Sequence, residues 1–265
     1  MPTDELLLER RGAIAALTLN RPEVSNALTE SMLVSLRETL IELASEGTTR
    51  AAILKGAGDR AFSVGMDLKA MSEYTPAEGL RLISPGGPLL AAIAAIEEYP
   101  YPVLAAINGY ALGAACELAV SCDLRLGALN ALMGMPPARI GIVYPAEGIE
   151  RFVRILGLAV TRRLFYTAER FGADRLLEMG MLDSVVESDD LEECAWDLAA
   201  ALASYAPLSM KGHKRILAAL AKGPALPPGE ADEIAYLASE AMRSDDAAEG
   251  MRAFVEKRPP DFKGS

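Results

Sequence analysis

Glu117 is the residue whose surroundings ask most for an explanation. It lies between Cys116 and Leu118 in the most apolar helical pattern of the chain, residues 111–120. A carboxylate there is costly unless it is paired, hydrogen-bonded or used in chemistry, and burial would lift its pKa toward a range useful for proton transfer. The alternative is an ordinary buried ion pair. Two segments near it share one design, an apolar run, a turn, then small residues opening a helix. One leads from Ala52-Ile53-Leu54-Lys55-Gly56 to Phe62-Ser63-Val64-Gly65-Met66-Asp67-Leu68; the other leads from residues 103–108 to Gly109-Tyr110-Ala111-Leu112-Gly113-Ala114. Small residues at a helix start let a ligand reach unpaired backbone N–H groups, which favour negative charge. Two such groups facing each other would form an oxyanion hole for a developing enolate. The same residues would also serve tight helix–strand packing.

Other chemistries find little support. The chain has no GxxxxGK[ST] phosphate loop, no GxGxxG and no GxSxG elbow. Its one histidine, His213, lies in the basic stretch Lys211-Gly212-His213-Lys214-Arg215 and reads as a solvated helix residue. The three cysteines, Cys116, Cys122 and Cys194, form no CxxC pair. They suggest buried free thiols in a reducing cytosol, so a cytoplasmic location is expected.

The elements that must position these residues can be read from the pattern. With 265 residues, 51% hydrophobic and 24% charged, the chain can bury a full-sized core. Its net charge of −11 gives no general attraction for nucleic acid or anionic lipid, so any anionic ligand needs a local cationic patch. The apolar stretch 103–120 is broken by Asn108, Gly109, Gly113 and Glu117 and is no membrane span. No basic-then-hydrophobic leader is visible in residues 1–11.

Strands are predicted at residues 13–19, 51–54, 103–107, 123–126 and 182–186. Thr29 should cap a helix carrying Met32, Leu33, Leu36, Leu40, Leu43 and Ala44 on one face. Thr75-Pro76-Ala77-Glu78 reads as a capping box that starts a helix; Ser84-Pro85-Gly86-Gly87-Pro88 interrupts it, and a second helix follows over 89–98. Further helices are predicted at 111–120, 146–156 (closed by Gly157), 160–168 and 173–179. From Leu191 onward the pattern is helical, with a Pro/Gly-rich joint at 223–229. Strand–helix alternation followed by a helical tail argues an α/β fold, with a core over 1–189 and a helical C-terminal subdomain over 190–265.

Taken in order, several segments resemble the crotonase (enoyl-CoA hydratase/isomerase) superfamily. They are Asn20-Arg21-Pro22 with Asn26-Ala27-Leu28, Gly56-Ala57-Gly58 with Ala61 to Leu68, and Ala105 to Leu118. Ser121-Cys122-Asp123, Gly180 to Val186 and the tail Phe254-Val255-Glu256-Lys257-Arg258 continue the match. The resemblance implies a spiral of ββα units with a helical C-terminal trimerisation region, giving a homotrimer or a dimer of trimers. It implies an acyl-CoA thioester substrate, with CoA as part of the substrate and no separate cofactor or metal. The backbone N–H groups of Met66 and Ala114 would form the oxyanion hole, and Glu117 would be the acid/base. Glu23, Val24, Ala27, Ser63, Asp67 and Leu68 would line the CoA site. Phe254 and Lys257 would reach CoA, in many members of the family from the neighbouring subunit, and Arg21 is a weaker candidate for its phosphates.

The chain departs from the family at one place that matters. Hydratases of this kind use two glutamates; Glu117 matches the first, and Pro137 stands where the second would be. Proline has no titratable group. Two-glutamate hydration is therefore not expected, whereas one carboxylate can still move a proton between carbons. Tyr144 and Glu147, in the altered stretch that follows, are candidates for a relocated acid, against a packing aromatic and a solvated helix-start acid. Thioester hydrolysis, decarboxylation or a weakly catalytic CoA-binding role are the alternative readings.

Overall fold

Apolar runs without alternation belong to strands covered on both faces, and the inner strands of this protein's larger sheet are such runs. In the computed structural model, which describes residues 4–71, 76–221, 233, 236, 239–241 and 243–264, six strands form that sheet. They are β1 (Leu6–Arg11), β2 (Ile14–Leu19), β3 (Ala51–Gly56), β5 (Val103–Ile107), β7 (Leu124–Ala128) and β10 (Ser184–Val186), in the order β1-β2-β3-β5-β7-β10. β1 and β2 make an antiparallel hairpin, and the other neighbours are parallel. A smaller sheet holds β4 (Ala61–Ser63), β6 (Tyr110–Leu112), β8 (Leu132–Gly134) and β9 (Phe171–Gly172), in the order β4-β6-β8-β9.

The chain therefore winds. Each pass lays one strand in the large sheet and the next in the small sheet, then forms a helix. β3 and β4 precede α2 (Leu68–Met71), β5 and β6 precede α5 (Ala114–Ser121), and β7 and β8 precede α6 (Ala146–Thr167). This is the spiral of ββα units that the sequence led us to expect. Around it lie α1 (Glu30–Glu46), α3 (Pro76–Ile83), α4 (Pro88–Glu98), α7 (Ala173–Glu178), α8 (Leu191–Ser204) and α9 (Pro207–Leu220).

Two apolar layers cover the large sheet. Ala15, Leu17, Ala52, Leu54, Val103, Ala105 and Ile107 face a core shared with α1, α4 and α5. The alternate residues Ala16, Ile53, Leu104 and Ala106 face Leu191, Ala195, Trp196 and Ala199 of α8. Period-two alternation is present, but both sets are apolar, which is why each strand reads as one continuous run. On α1, Thr29 Oγ1 accepts from Met32 N–H at 3.0 Å, and Met32, Leu33, Leu36, Leu40 and Leu43 are buried as their spacing requires.

Several expectations are corrected. The predicted helix over 111–120 begins later: residues 110–112 are β6, and α5 starts at Ala114, because Gly113 (φ 55°) turns the chain first. The helices expected at 146–156 and 160–168 are one run, α6, bent where Gly157 has φ 77°. β1, β4, β8 and β9 had no counterpart in the sequence reading. The helix at Pro76–Ile83 and its successor at Pro88–Glu98 are present, while Thr75 and the joint at 223–229 lie outside the described residues.

The C-terminal elements fold back on the core. Leu198 and Leu202 of α8 pack against the sheet, whereas Leu217 and Leu220 at the end of α9 are exposed. Lys214 of α9 donates to Ile96 O, Tyr101 O and Asp123 Oδ2. The tail beyond the C-terminal helix Asp245–Glu256 meets Arg50, whose guanidinium donates to Phe262 O and Lys263 O. No described helix is long and apolar enough to cross a membrane.

Candidate active site

The site forms where two turns of the spiral touch. After β4, Gly65 takes φ 90°, a conformation that L side chains rarely adopt, and a Cβ added there would lie 2.5 Å from Leu112 O and 3.4 Å from Ala114 N. The loop that follows β4 thus rests directly on the start of α5. Ser63 braces it, its Oγ accepting from Gly65 N–H at 3.1 Å. Leu28 makes a parallel bridge to Met66. It does so by donating to Gly65 O at 2.8 Å and accepting from Asp67 N–H at 3.0 Å. In that pattern the bonds go to the neighbours of Met66, and the N–H of Met66 itself points away from Leu28. On the other turn, Gly113 caps α5 without a side-chain bond, and Ala114 is the first helical residue. Its N–H belongs to the helix-start donors that have no intrahelical partner.

Glu117 is in the first turn of α5 and is wholly buried. Its two oxygens have different partners. The Tyr144 hydroxyl donates to Oε2 at 2.5 Å, and Arg151 Nη1 donates to Oε1 at 2.6 Å. Arg151 also donates through Nε to Glu97 Oε1 at 3.0 Å, where Arg154 donates at 2.9 Å. Burial pushes the Glu117 carboxyl above its ordinary range, opposed by the Tyr144 hydroxyl and the Arg151 charge. Burial, reinforced by the Glu117 charge, holds the Tyr144 phenol well above its ordinary range. Glu117 thus has a partly buried ion-pair partner, and it lies in the first turn of the helix whose start the Gly65 loop touches.

The other expected site residues fall into three groups. Ser63 and Ala27 are buried; Glu23 and Val24, in the 3-10 turn Pro22–Val24, and Leu68, the first residue of α2, are exposed. Asp67 caps α2 and is lowered first by the Ala70 N–H and then by Arg21. Arg21 is committed within the chain, to Ala27 O and Asp67 Oδ2 at 2.9 Å each and to Glu5 at 3.3 Å. Those contacts engage its guanidinium within the chain. Phe254 lies on the helix Asp245–Glu256, its side chain outside the described residues, and Lys257 is exposed just after it with φ 54°. The tail beyond them meets Arg50, before the start of β3, whereas the Gly65 loop follows the other end of that strand.

Pro137 is buried and opens a single 3-10 turn, Pro137–Ile140. Of the two candidates for a relocated acid, Glu147 is exposed and Tyr144 touches Glu117. The sequence reading missed Arg151, Glu97 and Arg154. Arg151 and Arg154 occur in a stretch that also holds Glu147 and Glu150, so they look like an ordinary solvated helix face. Cys116 and Cys122 are buried, and burial pushes both thiols up to about 12. They are inert packing residues. His213 is exposed, as expected.

A buried, hydrogen-bonded carboxylate thus lies in the first turn of the helix on which the Gly65 loop rests, in a two-sheet ββα spiral. Residues 9–265 match the family model described as enoyl-CoA hydratase/isomerase. The chain is 33% identical over 262 residues to the short-chain-enoyl-CoA hydratase of Clostridium acetobutylicum, covering 97% of each chain. It is 34% identical over 260 residues to the 2,3-dehydroadipyl-CoA hydratase of Escherichia coli K12, covering 98% of this chain and 99% of that one. An enoyl-CoA hydratase/carnithine racemase from Magnetospirillum magneticum superposes with a TM-score of 0.90 at 30% identity, over 99% of this chain and 97% of that one. The chain belongs to the enoyl-CoA hydratase/isomerase family, the crotonase superfamily, and is an enzyme of that family.

Proposed function

We propose that the enzyme moves a proton at the carbon next to an acyl-CoA thioester, with Glu117 as the acid/base and the Met66 and Ala114 N–H groups holding the enolate oxygen. The observation that carries this reading is the contact between the Gly65 loop and the first turn of the Glu117 helix. The Glu117 carboxylate takes a proton from the substrate carbon, and the electron pair left behind moves onto the thioester oxygen. Glu117 then returns the proton, either to the same carbon or two carbons along the chain, which shifts the double bond. Each oxyanion donor contributes roughly 3 kcal/mol to such a transition state. Nothing is consumed beyond the thioester itself, so the reading needs no metal and no separate cofactor.

A second reading is favoured by the relatives, whose names are those of hydratases. Here water adds across a 2-enoyl thioester, and Glu117 must serve both proton transfers, because Pro137 carries no proton. The CoA moiety is placed along Glu23, Val24, Ala27, Ser63, Asp67 and Leu68. Phe254 and Lys257 come from a neighbouring subunit of a trimer, whether or not trimers pair into hexamers. Lys257 would then give an acidic chain the local cation that CoA phosphates require. The three unpaired cysteines support a cytosolic setting.

The test is a panel of saturated, 2-enoyl and 3-enoyl CoA thioesters incubated with the protein in deuterated water and in heavy-oxygen water. Deuterium at the α-carbon with a moved double bond supports isomerisation, and heavy oxygen on the β-carbon supports hydration. Heavy oxygen in a released acid, or no change in any thioester, rejects both.

A further inference from the structure

Tyr144 stands in the stretch that departs from the family, and a phenol there needs a reason. Its hydroxyl is buried and is spent on one acceptor, Glu117 Oε2. Its ring is held by Phe165, with centroids 5.8 Å apart, and Phe165 in turn meets Phe152 edge-on at 5.4 Å. At Gly148 the chain leaves no room either. A Cβ at Gly148 would lie 2.5 Å from Tyr144 Cε1 and 3.1 Å from Glu117 Oε1. The phenol is therefore fixed at one place by packing, and that place is the Glu117 carboxylate.

We infer that Tyr144 is a positioning residue for Glu117: its hydroxyl fixes Oε2 while Arg151 fixes Oε1, and together they orient the buried carboxylate and stabilise its charged form. The inference rests on Glu117 being the base. The charged or titratable groups around that carboxylate are Tyr144 from the loop before α6, Arg151 and Arg154 from α6, Glu97 from α4, and Cys116 on its own helix. Arg151 is shared, since Nε bonds Glu97 while Nη1 bonds Glu117. Its charge is thus divided between two carboxylates, and the tyrosine hydroxyl supplies the second donor that Glu117 would otherwise lack. A hydrogen bond to the charged form favours that form, so its loss must raise the carboxyl pKa.

The experiment uses α-proton exchange in deuterated water, with butyryl-CoA as probe, followed as a function of pH in the full-length protein. Tyr144→Phe keeps the ring and removes only the hydroxyl. The acid limb of kcat/KM should move up by about one pH unit, so that below the limb the rate falls roughly tenfold. KM should stay within about twofold, because no substrate contact is removed. Infrared spectroscopy gives the direct readout: a protonated-carboxyl band, identified by its absence in Glu117→Gln, should appear at higher pH in Tyr144→Phe than in the parent. Should the phenylalanine variant fold poorly, 3-fluorotyrosine placed at position 144 keeps the side chain and makes the hydroxyl a stronger donor. The limb should then move to lower pH. An unmoved acid limb and carboxyl band in either form, with Glu117→Gln inactive, overturns the role of Tyr144 and leaves Glu117 as the base. Exchange that persists in Glu117→Gln overturns the reading of Glu117, and with it this inference.

Discussion

The two ends of α5 are held by buried charges of opposite kind. At the C-terminal end, Arg125 donates to backbone carbonyls, Cys122 O at 2.8 Å and Val120 O at 3.4 Å, and also to Met181 O at 3.0 Å. Its remaining nitrogen lies 3.3 Å from Asp183. A cation at a helix C-terminus meets the negative end of the dipole and satisfies its orphan carbonyls. At the other end, Gly113 leaves the cap without a side chain, and the buried charge is a carboxylate met by side chains only. The first arrangement closes a helix end. The second leaves the first N–H groups of the helix without a side-chain cap in the turn that carries Glu117. Burial of charge alone does not separate structure from chemistry; the identity of the partners does.

Changes at the two ends should therefore fail in different ways. The largest effect is expected at the open end from Gly65→Ala, which forces a side chain into φ 90° and against Leu112 O. Moving that loop by about 1 Å should lower kcat roughly a hundredfold, measured at a temperature where circular dichroism shows the variant folded. At the closed end, Arg125→Met should cost about 2 kcal/mol of stability, less than a fully buried pair because Asp183 is partly solvated. The transition midpoint should drop by several degrees while kcat of the folded protein stays near the parent value. A variant of Arg125 that loses turnover without losing stability would erase the contrast.

A smaller effect concerns pH. Because burial raises the Glu117 pKa above 4.5, the fold favours its protonated form. Its stabilising contribution is then complete below the ordinary glutamate pKa and is lost as pH rises through the folded-state value. Denaturant titrations should show the parent losing stability relative to Glu117→Gln as pH climbs from 4 toward neutrality. The opposite slope would mean that Arg151 and Tyr144 outweigh desolvation. The smallest effect is expected from Lys257→Glu, on neither end of the helix: acyl-CoA binding should weaken several-fold at low salt, and the difference should fade as salt is added. Equal binding at low salt would remove Lys257 from the CoA site.

Much of this was legible in the sequence. The inner strands β2, β3 and β5 are apolar on both sides, so their runs announce them, whereas the edge strand β1, which ends in exposed Glu9, Arg10 and Arg11, did not stand out. The small sheet was not legible, because β4, β6 and β8 have three residues each and no room for a pattern. β6 was read as helix because Tyr110-Ala111-Leu112 runs straight into the alanine-rich α5. Glu117 stood out as a lone carboxylate among apolar neighbours. Its partners did not, since Arg151 shares α6 with charged residues facing solvent, and Glu97 precedes Glu98 at the end of an apolar helix. Arg21 stood out beside a recognised motif, but its intrachain partners Asp67 and Ala27, distant or unremarkable along the chain, did not.

The central claim is that Glu117 is the proton-transferring group of an enolate site. It is tested most directly by following the α-proton signal of a saturated acyl-CoA by nuclear magnetic resonance in deuterated water, with parent protein and with Glu117→Gln. Glutamine keeps the shape but cannot accept the proton, so exchange should fall by roughly 10²–10⁴-fold while the thioester binds as tightly as before. Exchange at the parental rate in the glutamine variant would contradict the account.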